Sequence, residues 1–434
     1  MNGLAQLRER VAAKESRVVV VGLGYVGIPV AVSFAAAGFD VTGVDPAVAR
    51  VEALARGTLP LATSEPGLAS LLAAGLAAGR FHPTSERDGL AGADVIIVAV
   101  DSPLVDRAPD LRQLETAARD IAGRIAAPCA VVIETTLPPG TMRTVLAPLF
   151  GGGTVLIHCP ERVRPGRLLR NLRGMARLVG ADDATVGLLG AELYRNVVEA
   201  DLIVTDWETA EVIKTAENAA RDVQIALANQ LAVVCDHVGV DFRRVRDQIN
   251  RLWSGEPLVM EAGAGVGGHC LPKDPWLLVS TLPEDVSIAL IEGARSLNDA
   301  MPAHAARIAL HALARAGRAP SDATICVLGL TYDANSDDER NAPGPRVAAR
   351  LRDAGVTVRV HDPYAAPGPL EAIARDADAL VVVTPHAAYR DADWRALARV
   401  MRGASIVDCR RAFEADALRG VGFSYYGLGM AALR

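Results

Sequence analysis

The feature that most constrains the fold of this chain is a glycine-rich turn, Gly22-x-Gly24-x-x-Gly27, between two hydrophobic segments. The buried strand RVVVVGLGY leads into the turn, and an apolar helix runs from it through Ala37 to a stop at Gly38. The segment DVTGVD supplies a second strand. Together these segments predict a βαβ unit.

The rest of the N-terminal half continues this alternation of strands and helices. Three β-branched apolar runs, at 93–100, 129–136 and 153–160, each follow a segment typical of a helix. This rhythm predicts a doubly wound parallel sheet that ends near Asp206. Before it, residues 4–14 predict a short amphipathic surface helix.

The glycine turn also predicts a ligand. Its glycines permit a tight turn and a close approach of the backbone to a pyrophosphate, and the helix N-terminus faces that group. Asp45 stands at the end of the next strand, 18 residues past Gly27, where a carboxylate accepts from ribose hydroxyls. Because an acid repels a 2′-phosphate, NAD is favoured over NADP. The alternative is a purely structural glycine turn.

The middle of the chain is predicted to be helical. From Trp207 to about His237 there is no Pro or Gly, which predicts a helix of about 30 residues, roughly 45 Å long. Further helices are predicted around 241–252, 275–280 and 285–314, with the loop GAGVGGHCLPKDP between them. A helix of this length is expected to connect domains and to pack against something else, such as a second subunit.

The C-terminal part returns to an α/β pattern. ATICVLGL, VTVRVHDP, DALVVVTP and ASIVDCR are strand-like, and a helix is predicted over 345–354. The first of these strands ends in Gly329 without a G-x-G-x-x-G motif, which makes a dinucleotide less expected there. The predicted fold class is α/β, with two Rossmann-like doubly wound domains joined by a long central helix. The predicted domains are a dinucleotide-binding Rossmann domain at 1–206, a central helical domain at 207–318 and a second Rossmann-like domain at 319–434.

Composition narrows the possible partners and the cellular setting. With 51 Asp and Glu against 45 Lys and Arg, the net charge of −6 argues against nucleic acid or an anionic membrane as the main partner. The first 17 residues lack the apolar core of a signal peptide, and no stretch of about 18 apolar residues follows. The six cysteines form no C-x-x-C pair, so we expect neither disulfides nor a zinc site, and a reducing, cytoplasmic setting.

Cys270 is the expected nucleophile. Its loop is rich in glycines, which let a thiol and backbone N–H groups approach a substrate carbonyl, and Lys273 follows as a neighbouring cation. The other cysteines lie in apolar strands or helices, where a buried thiol is expected to be inert.

Polar residues on the long helix and at the strand ends complete the candidate site. Lys214, Asn218 and Arg221 are spaced i, i+4, i+7, so they share one face of the helix and suit an oxyanion, an oxygen and a phosphate, respectively. The alternative is a solvated face that pairs with Glu211 and Glu217. Thr136 and Glu161 follow strands at the carboxyl edge of the sheet, where open sheets bind ligands and where Glu161 suits a general base. Capping or salt bridging is an equal alternative there.

With these residues in place, the chain resembles the UDP-glucose/GDP-mannose dehydrogenase family over nearly its whole length. The resemblance is carried, in the family's order, by the segments VGLGYVGIPVA, ETTLPPGT, HCPERVRPG, AEVIKTAENAARDVQIALANQL, GAGVGGHCLPKDPW and GLTYDANSDDER. It implies two Rossmann-like domains, with NAD binding at 1–206 and UDP-sugar binding at 319–434, joined by a long dimer-forming helix in the dimerisation domain at 207–318. It also implies a four-electron oxidation of a sugar C6 alcohol to a carboxylate by two NAD.

The resemblance implies a role for each matching residue. It implies catalytic roles for Cys270, Lys214, Asn218, Asp274, Glu161 and Thr136. It implies cofactor contacts for Gly22, Gly24, Tyr25, Val26, Gly27, Asp45, Ser102, Thr136, Lys273 and Arg340. It implies contacts with the UDP-sugar for Arg162, Val163, Lys214, Asn218, Arg221, Gly265 and Tyr332, and it implies no metal. In this assignment Cys270 forms a thiohemiacetal and then a thioester, and the partner subunit is a second copy of the chain.

Two departures bear on the substrate. Where the UDP-glucose branch usually carries a second Glu, this chain has Pro165, and this form, with Asn218-x-x-Arg221, resembles the branch that oxidises UDP-N-acetyl-hexosamines, the manno epimer first. UDP-N-acetylglucosamine and UDP-glucose stay as alternatives. Asp333 replaces the family's usual Lys, so it either faces a phosphate or is turned to solvent.

Two other functions are possible for such a sequence. One is that of a two-electron hydroxyacid dehydrogenase, which needs no thiol, and the other is that of an inactive nucleotide-binding module. The retained Cys270 argues against the first, and Asp333 is the only support for the second.

Overall fold

The computed structural model describes residues 2–61, 65–163 and 166–430. The chain divides into two compact units, Met1–Glu217 with Trp276–Val286, and Asn218–Pro275 with Ser287–Arg434. The predicted division into three domains stays a prediction.

The first unit is built on an eight-stranded sheet, with a two-stranded hairpin beside it. The strands are β1 Arg17–Val21, β2 Asp40–Val44, β3 Phe81–Thr84, β4 Val95–Val98, β5 Leu104–Val105, β6 Ala108–Pro109, β7 Cys129–Ile133, β8 Thr154–His158, β9 Arg177–Gly180 and β10 Leu202–Thr205. The sheet order is β10-β9-β8-β7-β4-β1-β2-β3, and β5 and β6 form the hairpin. All neighbours in the sheet are parallel except β8 and β9.

Helices cover this sheet. They are α1 Asn2–Ala13, α2 Gly27–Ala37, α3 Val48–Ala55, α4 Leu68–Ala77, α5 Arg112–Ala122, α6 Leu168–Gly174 and α7 Ala184–Tyr194. The prediction for α2 is confirmed, since Gly38 ends it with φ +108°. Alternate residues of β1 enter different cores, Val18 and Val20 in one and Val19 in the other, because successive side chains point to opposite faces. Burial on both faces explains why this strand is a continuous apolar run.

The second unit carries a five-stranded parallel sheet in the order β12-β11-β13-β14-β15. These strands are β11 Thr324–Leu328, β12 Thr357–His361, β13 Ala379–Val382, β14 Ser405–Asp408 and β15 Ser424–Gly427. The remaining helices are α8 Trp207–Val238, α9 Phe242–Leu252, α10 Cys270–Val279, α11 Ala289–Arg315, α12 Pro343–Asp353, α13 Leu370–Ala374, α14 Ala387–Arg390, α15 Trp394–Val400 and α16 Ala415–Gly420. The boundary between the units falls within α8 and within α10. The α/β fold class with two Rossmann-like sheets and a long central helix is confirmed.

The central helical predictions hold with one correction. The long helix is confirmed as α8, which has 32 residues. The loop predicted through residues 263–275 ends earlier, because α10 begins at Cys270 itself. Pro272 lies in the first turn of α10, where the missing N–H breaks no helical hydrogen bond, whereas Pro275 lies inside the helix and removes one.

The first strand of each sheet ends in the same kind of glycine turn. Gly22 has φ +92° and Gly329 has φ +93°, a left-handed conformation that glycine adopts readily. The next residue in each case, Leu23 or Leu330, donates its N–H to the Asp that follows the second strand. The second unit therefore repeats the Rossmann turn of the first, with a longer segment between the glycine and the following helix.

Candidate functional site

The glycine turn of the first unit has the geometry of a phosphate cradle. A Cβ on Gly27 would lie 1.7 Å from the Gly22 carbonyl oxygen, and a Cβ on Gly22 would lie 2.7 Å from that of Ala99. A Cβ on Gly24 would meet nothing within 4 Å. The outer glycines are thus required by the packing of strand and helix, while Gly24 leaves open space beside the backbone for a pyrophosphate. Tyr25 and Val26 are half-buried in the same turn.

Asp45 stands beside this turn with its carboxylate held in place. Its Oδ2 accepts from the Leu23 N–H at 2.8 Å and from Arg50 Nη1 at 2.9 Å, and its Oδ1 accepts from the Ala47 N–H at 2.9 Å. Each carboxylate oxygen has two lone pairs, so acceptor capacity for a ribose hydroxyl remains on Oδ1. Gly22, Gly24, Gly27 and Asp45 together fit NAD.

Two other predicted residues of this unit meet at the carboxyl edge of the sheet. Ser102, beyond β4, donates its hydroxyl to the backbone carbonyl of Thr136, beyond β7, at 2.7 Å. Both side chains are buried. The structure therefore joins the two loops in which contacts with the cofactor are expected.

Glu161 and Lys214 form a charged pair in the first unit. Lys214 Nζ lies 3.9 Å from Glu161 Oε1, and the Lys214 side chain is only 6% exposed. Glu161 Oε2 accepts from the Val163 N–H at 2.7 Å, which fixes the rotamer of the acid and the conformation of the backbone after β8. A buried ammonium beside a held carboxylate is suited to stabilising an oxyanion and to orienting water.

A buried ionic cluster lies next to Glu161, and sequence reasoning missed most of it. Arg177 Nη2 is 3.2 Å from Glu134 Oε1, and the Tyr194 hydroxyl donates to the same oxygen. Burial raises the pKa of Glu134. One sign of this cluster is present in the sequence, since the acidic Glu134 ends an otherwise apolar strand. Its partners could not be predicted, because they come from β9 and α7, far away in sequence.

The alternative interpretation of the α8 stripe expects a solvated face that pairs with Glu211 and Glu217, and the structure gives each of these acids a partner outside the stripe. Glu217 pairs with Arg162, whose Nη1 also donates to the Ala176 carbonyl at 2.9 Å. Glu211 is buried, and its carboxylate accepts from the N–H groups of Gly140 and Met142. Glu211 therefore ties α8 to the loop after β7.

In the second unit, Cys270 differs from the other cysteines. All six are free thiols, and Cys270 is half-buried, whereas the other five are buried. Burial raises the pKa of Cys326 to about 11 and those of Cys129 and Cys159 to about 12, which keeps these thiols protonated. As the first residue of α10, Cys270 lies at the positive end of a helix dipole, which favours a thiolate.

Asp274 is the polar centre of the same helix. It is fully buried and accepts from Asn218 Nδ2 at 2.6 Å, and Lys273 Nζ lies 3.3 Å from its other oxygen. Three predicted site residues, Asn218, Lys273 and Asp274, are thus brought together one turn from Cys270.

The glycine loop before Cys270 is held from several sides. Gly268 donates its N–H to the Arg340 carbonyl at 2.8 Å and accepts from Asn341 Nδ2 at 2.9 Å. A Cβ on Gly268, whose φ is +83°, would lie 3.0 Å from the Tyr332 ring. Gly265 has φ +126° and packs on Pro302. The loop therefore needs glycine both for its backbone conformation and for close packing.

Sequence reasoning missed a second buried stripe on α8. Asp222, Asn229 and Asp236 are spaced i, i+7, i+14, and all three are buried. Their partners on α11 are Arg295 at 2.7 Å, Asn298 at 2.9 Å and His304 at 2.8 Å, respectively. Asn229 also accepts from the Gly263 N–H at 2.9 Å, which anchors the start of the glycine loop. The regular spacing was the available signal.

The remaining predicted residues divide as follows. Arg340 pairs with Asp338, with Nη2 to Oδ2 at 2.6 Å. Arg221 is half-buried on α8. Asp333 is exposed, and its Oδ1 accepts from the next N–H, of Ala334, at 2.9 Å. Pro165 lies outside the described residues.

Comparison with known proteins settles the family. Three family models match in chain order, the NAD binding domain at 16–198, the central domain at 208–300 and the UDP binding domain at 326–415, all of the UDP-glucose/GDP-mannose dehydrogenase family. The chain belongs to the UDP-glucose/GDP-mannose dehydrogenase family. It is an NAD-dependent nucleotide-sugar dehydrogenase, with NAD as cofactor and a UDP-sugar as substrate.

Several relatives are similar over almost their full length. UDP-N-acetyl-D-mannosamine dehydrogenase of Pyrococcus horikoshii is 36% identical over 422 residues, which are 95% of this chain and 99% of that protein. A solved structure of UDP-D-ManNAc dehydrogenase from the same organism has a TM-score of 0.89 at 36% identity and covers 96% of this chain and 100% of its own. The crystal structure of NDP-N-acetyl-D-galactosaminuronic acid dehydrogenase from Methanosarcina mazei has a TM-score of 0.83 at 34% identity and covers 100% and 99%.

Among the residues that the structure describes, no group of His, Cys, Asp and Glu side chains is arranged to hold a metal ion. Within the same ranges, no helix is long and apolar enough to cross a membrane.

Proposed function

We propose that this dehydrogenase oxidises the C6 alcohol of UDP-N-acetyl-D-mannosamine to a carboxylate, with two NAD and one water consumed per sugar. The Pyrococcus horikoshii relative bears that substrate in its name, which supports the proposal. The Methanosarcina mazei relative is named for a different N-acetylated hexose, so an acetamido sugar is the common element. Other UDP-N-acetyl-hexosamines and UDP-glucose are the alternative substrates.

The observation that carries the proposal is the setting of Cys270. It is the one half-buried thiol among six, it begins a helix, and it follows a glycine loop. A two-electron oxidation of an alcohol needs no thiol. In a four-electron oxidation a nucleophilic thiol retains the aldehyde covalently until its second oxidation.

The proposed reaction passes through two covalent intermediates on Cys270. The Cys270 thiolate adds to the C6 aldehyde to give a thiohemiacetal, whose carbon then loses hydrogen as hydride to leave a thioester. Water hydrolyses the thioester, which releases the carboxylate and restores the thiol. Bound NAD supplies the hydride acceptor in both oxidations, so each sugar yields two NADH and three protons at neutral pH.

The charged residues of each unit suit the remaining steps. Lys214, buried beside Glu161, supplies a cation for negative charge on the C6 oxygen, and Glu161 and Thr136 orient the attacking water. Asn218 and Asp274 form a hydrogen-bonded pair that relays charge at the same carbon.

Ligand contacts complete the proposed assignment. For NAD they are the glycine turn with Tyr25, Val26 and Asp45, together with Ser102, Thr136, Lys273 and Arg340. For the UDP-sugar they are Arg162, Val163, Lys214, Asn218, Arg221, Gly265 and Tyr332.

The experiment that tests the function counts electrons and compares sugars. Purified protein is incubated with NAD and UDP-N-acetyl-D-mannosamine, UDP-N-acetylglucosamine, UDP-N-acetylgalactosamine or UDP-glucose, and NADH and uronic acid are both quantified. We expect two NADH per acid and, for the manno substrate, a kcat/KM at least about 10-fold above UDP-glucose, a difference of about 1.4 kcal/mol. One NADH per sugar would contradict the thioester route, and equal values of kcat/KM would contradict the substrate.

We also propose that the enzyme is a homodimer through α8. In the C-terminal half of this helix Ala228, Ala232 and Cys235 are buried, yet Leu227, Val234 and Val238 on other faces are exposed. Exposed apolar side chains that recur along one helix mark a surface that a partner covers. Further exposed apolar side chains of the second unit include Leu252, at 84%, and Leu290, at 71%. A second copy of the chain presents matching apolar surfaces and is the simplest partner.

A further inference from the structure

Glu211 is a buried acid for which the reaction, as described, has no use. It lies in the second turn of α8, and its side chain is fully buried. Its Oε2 accepts from the Gly140 N–H at 2.5 Å and its Oε1 from the Met142 N–H at 2.7 Å. Both carboxylate oxygens are therefore committed to the backbone of one loop.

That loop needs these acceptors. Met142 begins a short helical segment, Met142–Leu146, and the first N–H groups of a helical segment have no partner within it. Left unpaired in a buried position, each N–H would be costly. From a different helix, Glu211 satisfies the Met142 N–H and also the Gly140 N–H just before the segment, so it sets where the loop ends relative to α8.

The other end of the loop is at the expected cofactor edge. The Ser102 hydroxyl holds the Thr136 carbonyl at 2.7 Å, and the Thr135 hydroxyl holds the Val100 carbonyl at 2.8 Å. The segment from Thr136 to Met142 is therefore clamped at its start by the loop after β4 and at its end by Glu211.

The same helix carries Lys214, one turn after Glu211. Residues three apart on a helix lie on neighbouring positions of one face. A shift or rotation of this turn of α8 against the loop would move the Lys214 ammonium from its position 3.9 Å from Glu161. Glu211 thus bears on two parts of the site at once, the Thr136 loop and the Lys214–Glu161 pair.

We propose that Glu211 is a positioning residue of the dehydrogenase, which acts through the N–H groups of Gly140 and Met142 to hold the Thr136 loop and Lys214 in their working geometry. The inference rests on the NAD-dependent activity and not on which UDP-sugar is oxidised.

The test compares Glu211→Gln with Glu208→Gln in the full-length enzyme. Glu208 is one turn earlier on the same helix, and its partner is Arg143 in an exposed ion pair, so it is a matched control for loss of a charge. The binding readouts are fluorescence titration with NADH and calorimetric titration with UDP, neither of which needs a turnover substrate. The kinetic readouts are kcat and the KM for NAD on the best UDP-sugar.

For Glu211→Gln we expect the Kd for NADH to rise at least fivefold and kcat to fall at least tenfold, because an amide oxygen can accept from one N–H while the amide nitrogen opposes the other. The Kd for UDP should stay within twofold, because the UDP binding domain matches 326–415 and Lys214 is assigned to the C6 oxygen of the sugar, which UDP lacks. Glu208→Gln should match the wild type. A folded Glu211→Gln enzyme with NADH affinity and kcat within twofold of the wild type would overturn the proposal, and so would an equal loss of NADH and UDP affinity.

If Glu211→Gln does not fold, Gly140→Ala decides the question. Gly140 has φ +84° and open space where a Cβ would lie, so alanine strains the loop backbone and displaces its N–H without a steric clash. A rise of at least threefold in the NADH Kd is expected, and an unchanged Kd and kcat would contradict the proposal. Failure of the manno substrate in the panel above would leave these comparisons intact, because NADH binding does not depend on the sugar.

Discussion

At the scale of single residues, the thiol of Cys270 is separated from the five buried ones by its exposure and by its place at the start of α10. We expect Cys270→Ser to lower steady-state formation of acid by at least about 1,000-fold, or about 4 kcal/mol, because an alkoxide is a far poorer leaving group than a thiolate. Affinities for NADH and UDP should stay within twofold. Steady-state assays and binding titrations measure both, with Cys235→Ser on α8 as the control thiol, and near-normal production of acid would remove Cys270 from its role.

At the same scale, Asp45 is the residue proposed to set the preference for NAD over NADP. Its carboxylate is paired with Arg50 at 2.9 Å, so its removal leaves an unpaired guanidinium beside the expected ribose position. We expect Asp45→Ala to raise the KM for NAD about 10-fold and to raise the kcat/KM for NADP, because Arg50 can then meet a 2′-phosphate. Arg56→Ala, which removes an exposed arginine of the neighbouring helix end, is the control. Unchanged discrimination between NAD and NADP would contradict this role.

At the scale of elements, the attachment of α8 to the first unit is expected to depend on pH. Burial raises the pKa of Glu211 to about 7, although the hydrogen bonds from the Met142 and Gly140 N–H groups lower it; nearby Glu208 raises it further. An acid with a raised pKa in the folded state binds its proton more tightly there than in the unfolded chain. Its contribution to the free energy of unfolding is therefore largest below about pH 4.5 and is lost as pH rises toward 7.

Glu211→Gln removes this titration. From pH 5 to pH 8 the wild type should therefore lose about 2–3 kcal/mol of unfolding free energy relative to the variant. Urea unfolding at the two pH values measures it. The same comparison with Glu115→Gln, whose ion pair with Arg119 lies on α5, should show little change. A pH-independent difference for Glu211→Gln would mean that the acid ionises as freely in the fold as outside it.

At the scale of the whole molecule, the exposed apolar residues of α8 predict the assembly. We expect Leu227→Glu with Val234→Glu to convert the dimer to a monomer in sedimentation equilibrium, because a dimer interface across α8 would bury both charges without partners. Leu188→Glu, on α7 of the first unit and similarly exposed, should leave the dimer intact. A wild type that sediments as a monomer would contradict the proposed dimer.

Local pattern was enough for the elements whose residues interact mainly with near neighbours in sequence. The turn at Gly22, the helix that ends at Gly38 and the strand before Asp45 were all predictable, because a glycine's conformation and a strand's alternation are properties of short segments. The 32 residues of α8 followed in the same way from the absence of Gly and Pro. The start of α10 did not, because Pro272 is typical of loops and equally tolerated in a first helical turn.

The sequence by itself thus determined the α/β class, the position of the phosphate-binding turn and the residue types available for chemistry, since these depend on spacing along the chain. Only the tertiary structure decided which partner each polar group found: Glu211 with the Gly140 loop, Glu217 with Arg162, and Asn229 with both Gly263 and Asn298. The physical reason is that a buried polar group must be satisfied by whatever donor or acceptor packing brings to it. Such partners come from segments tens of residues away, which spacing along one helix cannot specify.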